Sequence, residues 1–226
     1  MDEHRRSVLM PAVDPALEMT AGDLFWQEHG RKVIVALVAL VVLITGAGVW
    51  FWNSARLRAS AESLYSSATG PDGWREVIEK YPGSLAAGNA SLELASSLRA
   101  GGNLDGAVAE LERFVSSQPD HPLAGAGVLA LGELRRAQGK TDAALEEFRT
   151  VSSKYKDSYA APLAMLAEAE ILSVKNGGQG EARAVLESIG SLYPGTPAAM
   201  MAGAQLSRLL PAAQPPLAAP PAPAAP

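Results

Sequence analysis

A chain of 226 residues with no cysteine and a formal net charge of −5 can build neither a disulfide framework nor a thiolate metal site. Residues 53–226 carry 15 Lys/Arg against 18 Asp/Glu, a net of −3, with no basic face and no aromatic stacking platform, which excludes nucleic acid as the expected partner. Abundant Ala, Leu and Glu suit helices, and the fold class expected is all-α.

Residues 1–32 read as an N-terminal tail, polar at first and punctuated by Pro11 and Pro15. Residues 33–52, VIVALVALVVLITGAGVWFW, then run twenty positions without a charge, about 30 Å as a helix and matched to a bilayer core. One transmembrane helix is expected there, with Arg31 and Lys32 at one interface and the Trp50, Phe51, Trp52 belt at the other. The rival is a signal peptide cleaved after Thr45-Gly46-Ala47. Such a peptide has a shorter apolar region close behind a basic start, whereas here 32 residues come first. Arg31 and Lys32 are balanced by Arg56 and Arg58, so charge alone does not orient the span.

From residue 53 to 210 the chain repeats itself. Gly102, Gly139 and Gly177 stand 37 and 38 residues apart, and the turn signals at Tyr81-Pro82, Gln118-Pro119, Tyr155-Lys156 and Tyr193-Pro194 follow at 37, 37 and 38. A period of this size marks a solenoid of helix pairs, each burying its apolar face on its neighbours. In one unit Val128, Leu131 and Leu134 share a face of the first helix, Gly139 ends it, and Thr141 or Asp142 is expected to cap the second. That second helix turns Ala144, Leu145, Phe148 and Val151 inward, with Ala107 and Ala182 equivalent to Ala144. Trp74 and Val77 fit the second helix of an earlier pair whose first helix is expected over residues 56–68, and residues 196–210 form a lone terminal helix. Residues 211–226, PAAQPPLAAPPAPAAP, hold seven prolines in sixteen positions, and read as a semi-rigid tail or a ligand for a proline-reading domain.

Leu131-Gly132, Ala144 and Phe148, with Pro119 and Pro194 at the closing position, resemble the tetratricopeptide repeat. The period exceeds that of the repeat, no tryptophan opens the first helices, and Lys156 replaces one closing proline. The resemblance implies a tetratricopeptide-like α-solenoid of about four helix pairs plus a terminal helix behind the single N-terminal span. The layout, with Gly-Asp-Leu-Phe-Trp-Gln-Glu-His-Gly-Arg-Lys leading into one anchor and repeats beyond it, also resembles the ancillary Sec-translocon subunit family. That second resemblance implies a bacterial inner-membrane protein, single-pass, with a cytoplasmic tail and periplasmic repeats. Its implied partners are translocon subunits and a membrane-anchored chaperone or prolyl isomerase, and its role is to assist secretion or periplasmic chaperoning. The alternative is an envelope or cell-division scaffold.

Little catalytic chemistry is legible. Gly139-Lys140-Thr141 lacks the second glycine that a phosphate loop needs five residues upstream, where Leu134 stands, and a helical pattern rather than a strand precedes it. His4, His29 and His121 have no partners at metal-binding spacing, and His121 reads as a residue of an inter-repeat turn. Glu146-Glu147 and Glu168/Glu170, beside Arg149 and Lys175, read as a solvated charged face. No enzyme, cofactor, metal or small-molecule substrate is therefore expected. Partner binding is expected in the concave groove of the first helices. Counting from Gly102 and Gly139 places Asn89, Leu92, Ser96 and Arg99 beside Ala126, Leu129, Glu133 and Arg136, with Ile171 and Lys175 continuing the surface.

Overall fold

The computed structural model describes residues 21–209, and the sequence expectations for residues 1–20 and 210–226 lie outside that range. Among the described residues every regular element is a helix: α1 (Ala21–Ser67), α2 (Gly70–Lys80), α3 (Leu85–Ala100), α4 (Leu104–Ser117), α5 (Ala124–Ala137), α6 (Thr141–Lys154), α7 (Ala160–Val174), α8 (Gln179–Leu192) and α9 (Pro197–Leu209). Contacts divide the chain into two units, Met1–Arg56 and Leu57–Pro226.

The first unit contains the apolar run, all of it within α1. From Phe25 onward this helix is long and apolar enough to cross a membrane. Its aliphatic side chains, Ile34 to Val49, are exposed within the unit. The one hydroxyl in the run is satisfied locally, Thr45 Oγ1 donating to the Val41 carbonyl at 2.8 Å, as lipid would require. Beyond it, Trp50, Phe51 and Trp52 are exposed, and the Arg56 guanidinium lies 4.6 Å from the centre of the Trp52 ring.

In the second unit the pairs are the end of α1 with α2, then α3/α4, α5/α6 and α7/α8, and α9 stands last. The expected separate helix at 56–68 is instead the continuation of α1. Between Trp52 and Ser67 no glycine or proline interrupts the chain, so nothing ends the helix that began before the apolar run. Within pairs, Gly102 (φ 79°) and Gly139 (φ 76°) adopt the left-handed conformation that ends a helix cheaply only without a Cβ. The amide after each reaches back along the helix, Asn103 N–H to Leu98 O and Lys140 N–H to Arg135 O, both at 2.9 Å, to satisfy an orphan carbonyl. The expected side-chain cap on α6 is absent. Lys140 occupies the position held in α4 by Asn103, whose Oδ1 accepts from Gly106 N–H at 2.9 Å, and a lysine has no oxygen to offer there.

Two rows of large side chains recur down the second helices. One runs Trp74, Leu111, Phe148, Leu186 and the other Val77, Phe114, Val151, Ile189; all but the half-buried Trp74 are buried. Ala107, Ala144 and Ala182 are fully buried at their common place; Val128 shares a core with Ala144, and Leu131 and Leu134 share one with Ala107 of the preceding pair. The turns between pairs are tied across one period. Tyr155 Oη donates to Pro119 O at 3.3 Å and Tyr193 Oη to Lys156 O at 3.0 Å. His121, a turn residue as expected, is also buried. Its Nδ1 accepts from Leu123 N–H at 3.1 Å, which leaves Nε2 to donate to Leu85 O at 3.2 Å, and its ring meets Phe114 edge-on at 5.2 Å.

A Cβ on Gly132 would stand 2.5 Å from Phe148 Cε1, so the ring takes the space a side chain would need. Phe148→Ala is expected to lower stability by about 3–5 kcal/mol, and Gly132→Ala by about 1–3 kcal/mol through overpacking. Gly132→Ala combined with Phe148→Leu reproduces the Ala95/Leu111 and Ala169/Leu186 combinations of the neighbouring pairs. The double variant should melt well above the additive expectation, and thermal unfolding of the four proteins decides it.

Candidate protein-binding groove

Helices α5, α7 and α9 form one layer, and α3 is their counterpart one repeat earlier. Among the described residues α5 touches α7 and α7 touches α9, whereas α4, α6 and α8 make no comparable contacts with one another. The more closely spaced layer is the inner side of the curve. Buried positions define its register: Ala124, Gly127, Val128, Leu131, Gly132 and Leu134 of α5 recur, 37 residues on, as Ala161, Ala164, Met165, Glu168, Ala169 and Ile171 of α7, all buried.

That register corrects one part of the sequence reading. The extra residue of the third unit lies after Ile171, between the end of α7 and Gly177, so it does not shift α7. Ile171 is the counterpart of the core residue Leu134 and is 6% exposed, packed with Val128, Phe148 and Leu172. The inner-face counterparts of Ala126, Glu133 and Arg136 are instead Leu163, Glu170 and Ser173. Asn89, Ala126, Leu92 and Leu129 are half-buried on this face, and Leu92 and Leu129 lean on the core clusters beside them. Ser96 and Arg99 are exposed in the C-terminal half of α3.

The C-terminal halves of these helices carry charge that closes on itself. Arg136 donates to Glu133 Oε2 at 2.7 Å and to Glu170 Oε2 at 2.6 Å, linking α5 to α7. Burial alone would lower the Arg136 guanidinium, and the hydrogen bonds of Glu170 and Glu133 outweigh it, leaving the pKa above its ordinary value. Lys175 is exposed, 3.7 Å from Asp142. Of the predicted residues, Arg136, Ile171 and Lys175 meet around one cleft of about 570 Å³, joined there by Glu170 and the highly exposed Val174.

The carboxylates read as a solvated face are only partly so. Glu168 is buried and accepts from Arg149 Nε at 2.7 Å, because it occupies the Leu131 core position; Glu170 is exposed. Glu147 is half-buried with Arg135 Nε at 3.3 Å, and Arg135 also pairs with Glu112. These are ion pairs between helices.

Toward their N-terminal ends, beyond Asn89 and Ala126, these helices carry exposed apolar residues that the count from Gly102 and Gly139 did not include. Leu85 (59% exposed), Tyr159 (63%), Leu163 (40%) and Met201 (53%) lie on the inner face, with Pro122 and Pro197 at the same level as Leu85 and Tyr159. The signal was present in the sequence: Leu85, Pro122 and Tyr159 are 37 apart, as are Ala126 and Leu163. Exposed apolar side chains grouped on one face are a feature that contact surfaces share.

Burial pushes the Glu147 carboxyl above the usual carboxylate range, Arg135 pulls it down, and Glu112 and Glu146 push it up. A raised folded-state value means that the native state holds this proton more tightly than the unfolded chain. Its stabilising effect is therefore complete below the ordinary carboxylate pKa and is lost as pH rises through the raised one. Glu147→Gln should thus gain in melting temperature relative to the parent as pH rises through that window, and a constant difference across it would contradict the assignment.

Residues 24–164 match the family described as tetratricopeptide repeat-like domain, a stretch that takes in the apolar run and the repeats into α7. Two solved structures are similar in fold, both of Podosopora anserina putative kinesin light chain nearly identical TPR-like repeats, one of them a single-substitution form. Each is 20% identical over 69% of this chain and 84% of that one, with TM-scores of 0.46 and 0.45. Among curated proteins there is no match. With more than half of its length matched, the chain belongs to the tetratricopeptide repeat-like domain family.

Proposed function

We propose that this protein is a membrane-anchored interaction module that holds a polypeptide segment of a partner against the inner face of its first helices, and that it works beside the Sec translocon, assisting secretion or periplasmic chaperoning. The observation that carries the binding role is the apolar strip of Leu85, Tyr159, Leu163 and Met201 beside a charged edge satisfied by its own ion pairs. Such a strip supplies affinity for an uncharged segment, and the polar edge limits its register.

Anchoring is supported by the uncharged twenty-residue run at 33–52 inside α1, by its exposed aliphatic side chains and by the Trp52–Arg56 pairing just past it. In this reading residues 1–32 are cytoplasmic, 33–52 span the inner membrane, 53–210 form the periplasmic repeat domain and 211–226 are its tail. The translocon setting is supported by the layout of approach sequence, single anchor and repeats. Confinement to a membrane raises the effective concentration of neighbouring membrane proteins, so a modest groove suffices.

Protease added to intact spheroplasts should digest the repeats and spare the N-terminal tail; protected repeats would reverse the topology. Photocrosslinkers at Tyr159 or Leu163 should capture translocon subunits or a membrane-anchored chaperone, and Leu163→Asp should reduce capture about tenfold or more without moving the melting transition. Capture of septal enzymes instead would establish the cell-division scaffold reading, and undiminished capture by Leu163→Asp would remove the inner face as the interface.

A further inference from the structure

The turn that follows α7 is one residue longer than its counterparts, and the added length frees a backbone amide. Three residues join α3 to α4 and α5 to α6, whereas four, Lys175-Asn176-Gly177-Gly178, join α7 to α8. In the shorter turns the left-handed glycine is held: Gly102 N–H donates to Arg99 O at 3.0 Å and Gly139 N–H to Arg136 O at 2.9 Å. In the longer turn that bond is made one position later, from Gly178 N–H to Lys175 O at 2.9 Å. Gly177 keeps the left-handed conformation, at φ 78°, and among the described residues its N–H has no acceptor. Both Asn176 and Gly177 are exposed.

The side chain within reach of that free amide is a carboxamide. Of the four asparagines, Asn53, Asn89, Asn103 and Asn176, only Asn176 precedes a glycine. Asn53 and Asn89 lie inside helices, and Asn103 Oδ1 is engaged by Gly106 N–H as the cap of α4. A following glycine carries no Cβ to obstruct its own nitrogen, and an exposed turn lets the main-chain angles adjust as the two groups meet. We propose that Asn176 is a self-modifying site, at which the Gly177 nitrogen attacks Asn176 Cγ and the carboxamide is lost. The N–Cγ bond forms as the Cγ–Nδ2 bond breaks, the amide proton leaves with the amino group as ammonia, and a succinimide remains. Water then adds to one ring carbonyl and opens the ring, giving aspartate or, with the main chain rerouted through Cγ, isoaspartate. Either product adds a negative charge to a cleft of about 480 Å³ that Asn176 lines with Asp142, Glu146, Arg149, Lys175 and Glu181. Arg149 is already committed to Glu168. The new carboxylate therefore competes for Lys175 with Asp142, which lies 3.7 Å from it, and Lys175 also lines the inner-face cleft.

Full-length protein held in detergent micelles at mildly alkaline pH, sampled over days, is to be read by peptide mass spectrometry. Isoaspartyl carboxyl methyltransferase with labelled S-adenosylmethionine reports the rerouted main chain. The early mass gain of about one dalton should fall on the peptide carrying Asn176 and not on those carrying Asn53, Asn89 or Asn103. It should quicken as pH rises, because the attacking amide must give up its proton. Gln138→Asn sets an Asn-Gly pair in a turn whose glycine N–H is bound to Arg136 O, and that pair should convert about tenfold more slowly than Asn176 in the same molecule, since it reacts only when the turn opens. A synthetic peptide of residues 171–181 has no fold to hold the amide, and native Asn176 should convert within about tenfold of its rate. That comparison does not depend on the fold of Gln138→Asn. Equal rates for the two Asn-Gly pairs, native conversion more than about tenfold slower than the peptide, or no methyl acceptance after incubation overturns the proposal.

Discussion

A helix pair closes only where one helix gives up side-chain volume to the other, and that exchange sets the whole repeat domain. Phe148 fills the place of a Cβ on Gly132, and Phe114 does the same to Gly127, 2.8 Å from its Cε1, and to Gly88, 2.9 Å from its Cε2. Where the second helix carries leucine instead, the first helix carries alanine: Leu111 shares a core with Ala95, and Leu186 with Ala169. The volumes are matched pair by pair, as close packing demands, and each match fixes how near the first helices lie to one another. The curvature of the layer, and therefore its inner face, follows from small residues on α3, α5 and α7 rather than from any residue of the groove.

This constraint explains why so much of the fold is legible in sequence. Gly102, Gly139 and Gly177 must be glycine to take positive φ, and Ala107, Ala144 and Ala182 must be small, so the period shows through weak overall similarity between units. The position of the extra residue is not visible that way. A residue added near a turn changes the spacing of the turns by the same amount whether it precedes or follows the helix, and only burial of Ile171 at the Leu134 position places it after α7. The 37-residue spacing of Leu85, Pro122 and Tyr159 shows that these positions repeat, but periodicity alone does not tell exposed apolar helix starts on one face from solvated ones. The burial of Glu168 was hidden for a related reason: its Arg149 partner lies on the preceding helix, 19 residues away.

The inner face divides along its length into two chemistries with separate jobs. At the C-terminal halves of the helices, Arg136 ties α5 to α7 through Glu170 and is held in place by Glu133. Half-exposed pairs of this kind add little stability, and their larger effect is on specificity, since a charged segment entering there would have to break them. Toward the N-terminal ends, Leu85, Tyr159, Leu163 and Met201 make no such ion pairs and expose apolar surface.

Selectivity follows from that division. In the proposed reading, a segment with a charge at each third residue would lose solvation over the apolar edge and gain no counter-ion from the charged one, whereas an uncharged segment would gain where it covers Leu85, Tyr159, Leu163 or Met201. The gain per helix is that of one partly exposed side chain such as Leu163 or Tyr159, a fraction of the about 1.5–3 kcal/mol for full burial. A few such contacts give reversible binding after the ordering of the segment is subtracted. In the proposed reading, a groove of that strength suits many related segments in turn, and anchoring to a membrane would bring them to it at high local concentration, so that weak and sequence-tolerant binding would suffice.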